Sequence, residues 1–555
     1  MITAYLYSIV KRRFFWHNLP TQKEGSMLNK IKVALWGWLS LAASLSAFAV
    51  TYVKPDATGT ESGSSWADAT SLDAAIKAGG VIYVAKGVYY PTATLELPDG
   101  TELYGGFAGT GDEALDARDL ANNETIISGD TNRDDKWKLY DPHTGTSNNT
   151  EIPVVKDGKI NLPDFADEYE TCCPNTTRDS ENLKRLVTIP SLAKVTIDGV
   201  VLVGAGHAQG GYPGVFVDKN ATAIVTNSRV VACRGSYPAV YVAEAGSLTF
   251  TKSSIEFCYS DNKGVIYSPV NSTLMIDDCR FIGNVRTASI PDPHGSAVIC
   301  IDRGTHLKNS FFTRNYNRHS YANNTKESVC VSNAGYANEN VSCTGCTFVF
   351  NSCYDTTGKM TPVVHWTVGG VPVQNCVIAS NLTTVVSAES KVSAVSAFAS
   401  SAVYGAADSL AIFDNKLSVT ATAAAVVDAA AVMANPSEVC DLTLINSVIE
   451  DNEINVVSSD GADVAAARGV LFRPSEDTTS RRSLAVYNCT FMGSTEGSDV
   501  VYANPTEGAC GAVVLNSVFG TIHPFDTTPR VVNLGVNPVT VGYGALLGAA
   551  TLGEN

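Results

Sequence analysis

Asp277 and Asp278 are adjacent carboxylates, the residue type that supplies acid and base catalysis in glycoside hydrolysis. Neighbouring residues of a strand point to opposite faces, so this pair is poorly placed to act on one sugar. A polysaccharide lyase instead needs an acidic calcium-binding cluster and a basic side chain, for which Arg303 is the candidate. Scattered ion pairs on the wall of a repeat protein are the favoured interpretation. We therefore keep these three residues only as candidates in case the protein is an enzyme.

Histidines and cysteines are the other residues that could perform chemistry. The eight histidines show no metal-ligand spacing. Cys343 and Cys346 form a CxxC pair with Cys353 nearby, a pattern found in redox and metal sites, but burial as small hydrophobic residues is favoured. The chain has 14 cysteines, and either Cys172 or Cys173 could pair with another loop cysteine. The sequence therefore predicts neither a bound metal nor a cofactor.

Several tyrosines near strand ends or in loops could bind sugars, because a phenol ring offers an apolar face and a polar tip. Packing in the core or in turns is the favoured alternative. The candidate binding residues are Tyr237, Tyr241, Tyr259, Tyr267 and Tyr321.

The charge of the chain excludes one class of partner. The formal net charge is -16, and the first 49 residues alone contribute six Lys/Arg against one Glu, which leaves an acidic body. Binding to nucleic acid needs a basic face, so we expect no nucleic-acid partner. An acidic surface is typical of soluble proteins outside the cytoplasm.

The N-terminus resembles an export signal. Lys30 and Lys32 precede an apolar run from Val33 to Leu45, and Ala47-Phe48-Ala49 fits a cleavage site. We predict cleavage after Ala49, with either Met1 or Met27 as the start of the protein. An uncleaved anchor is the alternative, and no later stretch is apolar enough to span a membrane.

A short phrase recurs from about residue 186: alternating apolar residues, a polar pair ending in Ser or Cys, one residue, then a large apolar residue. The Ser/Cys positions are Ser228, Ser253, Cys279, Ser310, Cys346, Cys376, Ser447, Cys489 and Ser517. Several units continue to an asparagine three residues after the large apolar one, at Asn284, Asn315, Asn351, Asn381 and Asn452. Such a period indicates a solenoid, in which each coil buries its inner face only against its neighbours.

The repeats predict an all-β, right-handed parallel β-helix. Short polar residues suit the tight turns between strands, and asparagine tolerates left-handed φ and can hydrogen-bond along the ladder. The step of 71 residues between Cys376 and Ser447 predicts one or two hidden coils, one of them at 410–421. The Ala/Ser/Val-rich stretch 386–434 is assigned to strands, because no capping signal brackets a helix there.

The predicted organisation has five parts. An N-terminal extension and signal peptide occupy 1–49, and a cap with the first coils occupies 50–130, including one short helix near Ser71–Ala78 with Ser71 as N-cap. An inserted loop region follows at 131–185. Parallel β-helix repeats occupy 186–520, and a C-terminal tail or cap occupies 521–555.

The cap, the phrase Tyr104-Gly105-Gly106-Phe107, the segment 118–130 and the later apolar-x-x-Asn phrases resemble the polymorphic outer-membrane protein repeats of chlamydiae. They are still more similar to secreted parallel β-helix proteins of Bacteroidetes. The resemblance covers about 51–320 well and 321–520 loosely. It implies a β-helix at the cell surface, often with an adhesive role. The Gly-Gly-Ala-Ile phrases of that family are degraded here, and 521–555 lacks the pattern of a C-terminal barrel.

These observations predict an exported, surface-associated or secreted protein of a Gram-negative bacterium with an adhesin-like binding role. The expected partner is polysaccharide or cell-surface protein, and the oligomeric state is left open. The alternative is a polysaccharide-active enzyme, a lyase before a hydrolase. Three or more carboxylates with a Lys or Arg in one groove would favour the enzyme.

Overall fold

Short alternating segments form short strands, and each strand pairs in parallel with the strand one repeat later. Val225 aligns with Phe250, which aligns with Ile276, and all three side chains are buried. One coil cannot cover its own inner face, so stacked coils share a continuous core. The chain is a right-handed parallel β-helix, which confirms the predicted fold class.

This computed structural model describes residues 50–57, 61–111, 114–175, 182–207, 211–261, 263–269, 271–287, 296–301, 304–320, 327–333, 340–367, 369, 371–401, 405–434, 441–473, 482–493, 498–502, 510–519, 531–533, 539–541 and 552–554. Val50–Asn555 is one compact unit. The predicted signal peptide lies outside the described residues, so its cleavage stays a prediction. Across the residues that are described, no helix has the length and apolar character needed to cross a membrane.

Four parallel sheets run along the solenoid, and each full coil passes through them in the order sheet 1, sheet 2, sheet 3, sheet 4. Sheet 1 contains Thr51–Val53, Val81–Ala85, Glu102–Phe107, Lys194–Asp198, Thr222–Thr226, Ser247–Thr251, Thr273–Asp277, Thr305–Lys308, Ser342–Thr344, Val373–Gln374, Gly405–Asp408, Leu442–Ile445, Arg482–Tyr487, Cys510–Leu515 and Val539–Val541. Sheet 2 contains Gly87–Tyr89, Thr125–Ser128, Val200–Val203, Arg229–Val231, Ser254–Glu256, Arg280–Ile282, Phe311–Thr313, Thr347–Val349, Val377–Ala379, Ala411–Phe413, Val448–Glu450, Thr490–Met492 and Val518–Phe519.

The other two sheets complete the cross-section. Sheet 3 contains Gly206–His207, Arg234–Gly235, Tyr259–Ser260, Val285–Thr287, Tyr316–His319, Ser352–Asp355, Leu382–Ser387, Lys416–Ala421 and Glu453–Ser458. Sheet 4 contains Leu95–Glu96, Val187–Ile189, Val215–Val217, Val240–Val242, Ile266–Tyr267, Ile299–Ile301, Val331–Asn333, Val364–Trp366, Lys391–Ser400, Val426–Ala434, Asp463–Phe472, Val500–Tyr502, Val531–Asn533 and Leu552–Glu554. The stretch 386–434 therefore contributes strands, as expected.

The corner between sheets 1 and 2 holds all nine predicted Ser/Cys positions, and every one of their side chains is buried. The preceding residue takes a left-handed conformation, for example φ 48° at Asn227 and 47° at Asn309. The Ser228 hydroxyl donates to the Thr226 carbonyl at 2.8 Å. The Ser253 hydroxyl accepts the N–H of Ser228 at 3.1 Å, so the corner links consecutive coils.

The corner between sheets 2 and 3 holds a second column, the asparagine ladder: Asn284, Asn315, Asn351, Asn381, Asn415 and Asn452. Each of the first five donates its Nδ2 to the Oδ1 of the next at 2.8–3.0 Å. All five predicted asparagines belong to it. Asn415 was missed, because Leu410 replaces the Ser/Cys residue of its coil. Only this one coil fills the step of 71, and it pairs with both neighbours.

The cap closes the first end of the solenoid with one short helix, as predicted. The helix is Leu72–Ala78, and the Ser71 hydroxyl accepts the N–H of Ala74 at 3.3 Å. Leu72, Ala75 and Ile76 lie on its buried face. A 3-10 turn at Trp66–Asp68 places Trp66 against Phe107. A second 3-10 turn lies at Leu115–Ala117.

Residues 131–185 form an excursion with strands of its own rather than another coil. Lys136–Asp141 pairs antiparallel with both Thr146–Pro153 and Thr171–Pro174, and Val155–Lys156 pairs with Lys159–Ile160. Its apolar face packs on the outside of sheets 2 and 3, where Trp137 contacts Phe257. We call this segment the insertion.

Candidate functional site

The outer face of sheet 4 carries a column of aromatic side chains. Phe216 aligns with Tyr241, and Tyr241 aligns with Tyr267. The flanking valines of these short strands point inward and are buried, so the central residue must point out. In-register stacking then places one ring above the next, with 5.7 Å between the ring centroids of Phe216 and Tyr241.

Two loop tyrosines widen this column. The Tyr212 ring stacks on Tyr241 with centroids 4.0 Å apart, and lies 5.2 Å from Tyr237. Tyr237 is 40% exposed. We call the five rings the tyrosine patch: Tyr212, Phe216, Tyr237, Tyr241 and Tyr267.

Cations lie at both ends of the patch. The Arg185 guanidinium sits 4.0 Å from the Phe216 ring centroid, and the Lys263 ammonium sits 4.8 Å from that of Tyr267. Burial, and then the neighbouring Tyr241, raise the pKa of Tyr212, so its phenol is a neutral donor and acceptor. The described residues of this surface therefore offer hydroxyls, ring edges and two cations.

Three of the five predicted tyrosines, Tyr237, Tyr241 and Tyr267, come together in this patch. Tyr259 instead lies on sheet 3 with its ring buried beneath the insertion. Tyr321 lies outside the described residues. Tyr212 and Phe216 were missed.

The missed pair could have been found from the sequence. The phrases Tyr-Pro-Gly-Val-Phe-Val (212–217) and Tyr-Pro-Ala-Val-Tyr-Val (237–242) repeat one coil apart. Residues one coil apart stack on one another in a solenoid, so this repeat predicts aromatic pairs on one wall.

A second surface, the acidic groove, lies where the insertion meets the corner between sheets 2 and 3. Its volume is about 420 Å³. Its lining residues include four carboxylates, one lysine and one tyrosine: Glu168, Asp414, Asp451, Glu453, Lys416 and Tyr169. Asp414 and Asp451 occupy left-handed corner positions on consecutive coils, and Lys416 aligns with Glu453. Burial, and then Glu168, raise the pKa of Tyr169 to about 12.

The predicted catalytic candidates lie elsewhere. Asp278 is an exposed corner residue with φ 54°, the conformation that Asn227 and Asn309 take in their coils. Asp277 accepts a hydrogen bond from the Asn309 amide at 2.9 Å. Both lie at the corner between sheets 1 and 2, away from the acidic groove, and Arg303 lies outside the described residues.

A groove of about 580 Å³ beside Asp278 is lined by Arg229, Glu256 and Arg280. Arg229 is held by ion pairs to Glu256 at 2.8 Å and to Glu124 at 2.9 Å. The charged residues Arg229, Glu256 and Glu124 of this wall thus form ion pairs with one another, the kind of contact that the sequence favours for such residues.

Two other groups have a geometry that could hold a metal ion. The thiols of Cys343, Cys346 and Cys376 lie within 4.8 Å of one another and are buried. Hydrogen bonds from the first two lower the pKa of Cys376. The twelve cysteines with described side chains, including Cys172 and Cys173, are free thiols. The second group is Asp130, Asp134 and Asp135.

An ionised cluster lies inside the solenoid between sheets 3 and 4, where no substrate can reach it. Arg286, His319, Glu327 and Asp355 are each fully buried. The Arg286 guanidinium meets the Glu327 carboxylate at 2.7 Å, and His319 Nδ1 lies 3.2 Å from Asp355. His319 and Asp355 align one coil apart on sheet 3, whereas Glu327 has no counterpart in the repeat.

Comparison with protein-family models, with curated proteins and with solved structures finds no match to this chain. The β-helix part of the predicted resemblance is supported by the fold, whereas membership of a particular family stays a prediction.

Proposed function

We propose that this chain is an exported or surface-associated β-helix protein that binds polysaccharide through the tyrosine patch. The observation that carries the proposal is the cluster of aromatic rings on one outer wall, flanked by Arg185 and Lys263, in which Tyr237 is the most exposed ring and Tyr267 is 8% exposed. The same wall supports an adhesin-like role, which the resemblance to secreted Bacteroidetes β-helix proteins also implies.

Physical chemistry supports binding at such a wall. Tyrosine presents a large contact area with few rotatable bonds, so little conformational entropy is lost when a ligand is bound. Stacking on the β-helix holds the rings in place before the ligand arrives, which lowers the cost of binding further. Hydroxyls at the ring tips can exchange hydrogen bonds with sugar hydroxyls. The two cations favour an acidic sugar over a neutral one.

A second candidate function, a polysaccharide lyase, is favoured by the acidic groove. Four carboxylates and one lysine there match the arrangement expected of an enzyme, since carboxylates can hold a calcium ion and a basic residue can remove a proton. In β-elimination the base takes the proton beside the sugar carboxylate, a carbon–carbon double bond forms, the glycosidic carbon–oxygen bond breaks, and the departing oxygen takes a proton from water. Lys416 is the basic residue positioned for that role.

One experiment distinguishes polysaccharide binding from polysaccharide cleavage. The purified protein is incubated with acidic and neutral polysaccharides, with and without Ca²⁺, and retention, reducing ends and unsaturated products are measured. We expect retention on an acidic polymer without cleavage. The double change Tyr212→Ala/Tyr237→Ala should weaken retention at least tenfold, whereas Tyr487→Ala on sheet 1 should not.

Unsaturated products that disappear in Glu453→Gln or Asp414→Asn would instead establish the lyase. Retention that is unchanged in the double tyrosine variant would contradict binding at the patch. Equal loss in Tyr487→Ala would contradict it as well, because that change leaves the patch intact.

A further inference from the structure

Three thiol groups converge inside the solenoid at the corner between sheets 1 and 2. The sulfur atoms of Cys343, Cys346 and Cys376 lie within 4.8 Å of one another, and each residue is at most 1% exposed. Cys343 and Cys346 come from one coil, and Cys376 comes from the next. All three belong to the main hydrophobic core, so anything bound between them is enclosed by the fold.

The repeat accounts for two of the three cysteines. Cys346 and Cys376 hold the Ser/Cys position of the corner in consecutive coils. The Cys346 N–H donates to Cys376 Sγ at 3.4 Å, just as the Ser228 N–H donates to the Ser253 hydroxyl at 3.1 Å. These cysteines therefore replace serines without changing the contact between coils, and by themselves they imply no ligand.

The third cysteine departs from the repeat. Cys343 lies on the inner face of sheet 1, aligned with Leu307 of the preceding coil and Val373 of the following one. The aligned residues of the other coils are apolar as well: Ile197, Val225, Phe250, Ile276, Ala407, Leu444, Val486 and Val514. The one thiol of this column stands where two consecutive corner positions are also cysteine. Packing requires only an apolar side chain there, so the sulfur points to a ligand that the three thiols share.

Three convergent sulfur atoms suit a soft metal ion, since thiolates select copper(I), zinc and iron–sulfur clusters. Zinc–thiolate bonds are about 2.3 Å long, and three sulfurs at such a distance around one ion in a plane lie about 4 Å apart. The sulfur atoms here are separated by at most 4.8 Å, so small rotations of the side chains bring them to that spacing.

The number of ligands distinguishes between these metals. A structural zinc ion takes four ligands, whereas this group offers three among the described residues. A water molecule as the fourth ligand is disfavoured, because the group lies in an apolar core. Copper(I) is stable with three sulfur ligands in a plane, so the arrangement fits copper(I) better than zinc.

We propose that Cys343, Cys346 and Cys376 form a copper(I) site that links two consecutive coils. Binding releases the protons of the coordinating thiols to solvent, and the Cys346 N–H stabilises negative charge on Cys376 Sγ. Because the site is enclosed, the ion enters while the coils stack and leaves when they separate. The ion is therefore structural, since no substrate can reach it.

The repeat supplies variants that should fold. Cys343→Val introduces the residue that the following coil has at the aligned position, and Cys376→Ser introduces a residue common at this corner. Cys489→Ser is the matched control, because Cys489 holds the same corner position outside the three-thiol group. Cys258→Ser is a second control, because Cys258 Sγ accepts the Cys233 N–H at 3.4 Å in another pair of buried cysteines one coil apart.

The experiment unfolds the full chain in urea and refolds it without oxygen in the presence of Cu⁺ and a soluble copper(I) chelator. Copper that stays with the protein is measured by mass spectrometry of the metal, and copper–sulfur bonds by their ultraviolet absorbance. We expect about one copper ion per chain, retained until urea unfolds the protein again. Cys343→Val and Cys376→Ser should each lower the affinity for Cu⁺ about tenfold or more, whereas both controls should leave it unchanged. Zn²⁺ in place of Cu⁺ should bind more weakly.

Failure of the unchanged protein to retain copper would overturn the proposal. Equal retention in Cys343→Val, loss in Cys258→Ser instead, or tighter binding of Zn²⁺ would also overturn it. So would a disulfide at this corner, seen as a gain of two hydrogen masses on reduction that Cys343→Val abolishes. Circular dichroism of each variant, matched to the unchanged protein, separates lost binding from lost folding.

Discussion

The asparagine ladder and the ionised cluster are both polar groups buried inside the same solenoid, and they are built on opposite principles. The ladder is neutral and contributes one asparagine from each successive coil that it spans. The cluster is charged and joins side chains of four different types. Asn351 accepts the Nδ2 of Asn315 at 2.9 Å and donates its own Nδ2 to the Phe312 carbonyl at 3.0 Å. Each ladder amide thus meets backbone and side-chain partners without burying charge.

In the ionised cluster, the attraction between opposite charges offsets the cost of burying each of them. Burial alone would lower the pKa of His319, but the carboxylates of Glu327 and Asp355 outweigh it, so the pKa is raised. Removing one member of such a group leaves an uncompensated charge in the interior. The difference implies that replacing one asparagine disturbs only its own hydrogen bonds, whereas replacing one charged residue destabilises every member of the cluster.

The largest expected effect is at Arg286. Arg286→Met leaves the buried Glu327 carboxylate without its 2.7 Å partner, and should lower the free energy of unfolding by about 3–5 kcal/mol. Arg318→Met is the control, since Arg318 is exposed on the next strand of sheet 3. Urea denaturation measures both. If Arg286→Met cost no more than Arg318→Met, the cluster would not act as a unit.

The next effect is at the centre of the ladder. Asn351→Ala removes the acceptor of the Asn315 N–H and the donor to the Phe312 carbonyl, which should cost about 2–3 kcal/mol. Asn309→Ala changes an exposed left-handed corner residue, and should cost about 1 kcal/mol. The same denaturation measurement compares them. Equal costs would mean that the ladder contributes no more than corner geometry.

The cluster, unlike the ladder, should respond to pH. The pKa of His319 is raised in the folded state, so its stabilising contribution is complete below the unfolded pKa of about 6.5. It is then lost as pH rises through the higher folded pKa, by about 1.4 kcal/mol for each unit of the shift. Comparing unfolding midpoints from pH 6 to 9, His319→Gln should remove this part of the decline. Parallel pH profiles of the unfolding midpoint for the two proteins would refute the contribution of His319.

The smallest effect should come from exchange within the Ser/Cys corner. Cys489 contacts the Tyr487 carbonyl at 3.3 Å, where Ser447 makes the equivalent bond to Ile445 at 2.9 Å. Cys489→Ser should therefore change the unfolding free energy by less than about 1 kcal/mol. Cys489→Leu tests whether the position also accepts a large apolar side chain, because Leu410 already occupies it in one coil. A cost above about 3 kcal/mol for the serine variant would show that serine and cysteine are not interchangeable at this corner.

Periodicity explains what the sequence could and could not predict. The asparagine ladder repeats at the coil length, so five of its members were found, and Asn415 escaped only because Leu410 interrupts the accompanying phrase. The tyrosine patch repeats too, although its first coil was overlooked. Arg286, His319 and Asp355 lie on three successive strands of sheet 3, whereas Glu327 lies before a strand of sheet 4. The coil period could have paired His319 with Asp355, which align in register four residues after Asn315 and Asn351, but it supplies no partner for Glu327.

The insertion also has a consequence for the order in which the protein is made. Coils can stack one after another as they are synthesised, but part of the insertion rests on coils that are made later. Thr171 donates to the Gly283 carbonyl, Arg314 donates to the Asp167 carbonyl, and Tyr169 packs on Phe350. The last contact joins residues about 180 positions apart, which corresponds to roughly ten to forty seconds of translation. Through that interval the part of the insertion that packs on these later coils stays uncovered, although Ile126 and Val201 can already cover the rest, and the uncovered part is where a chaperone would bind.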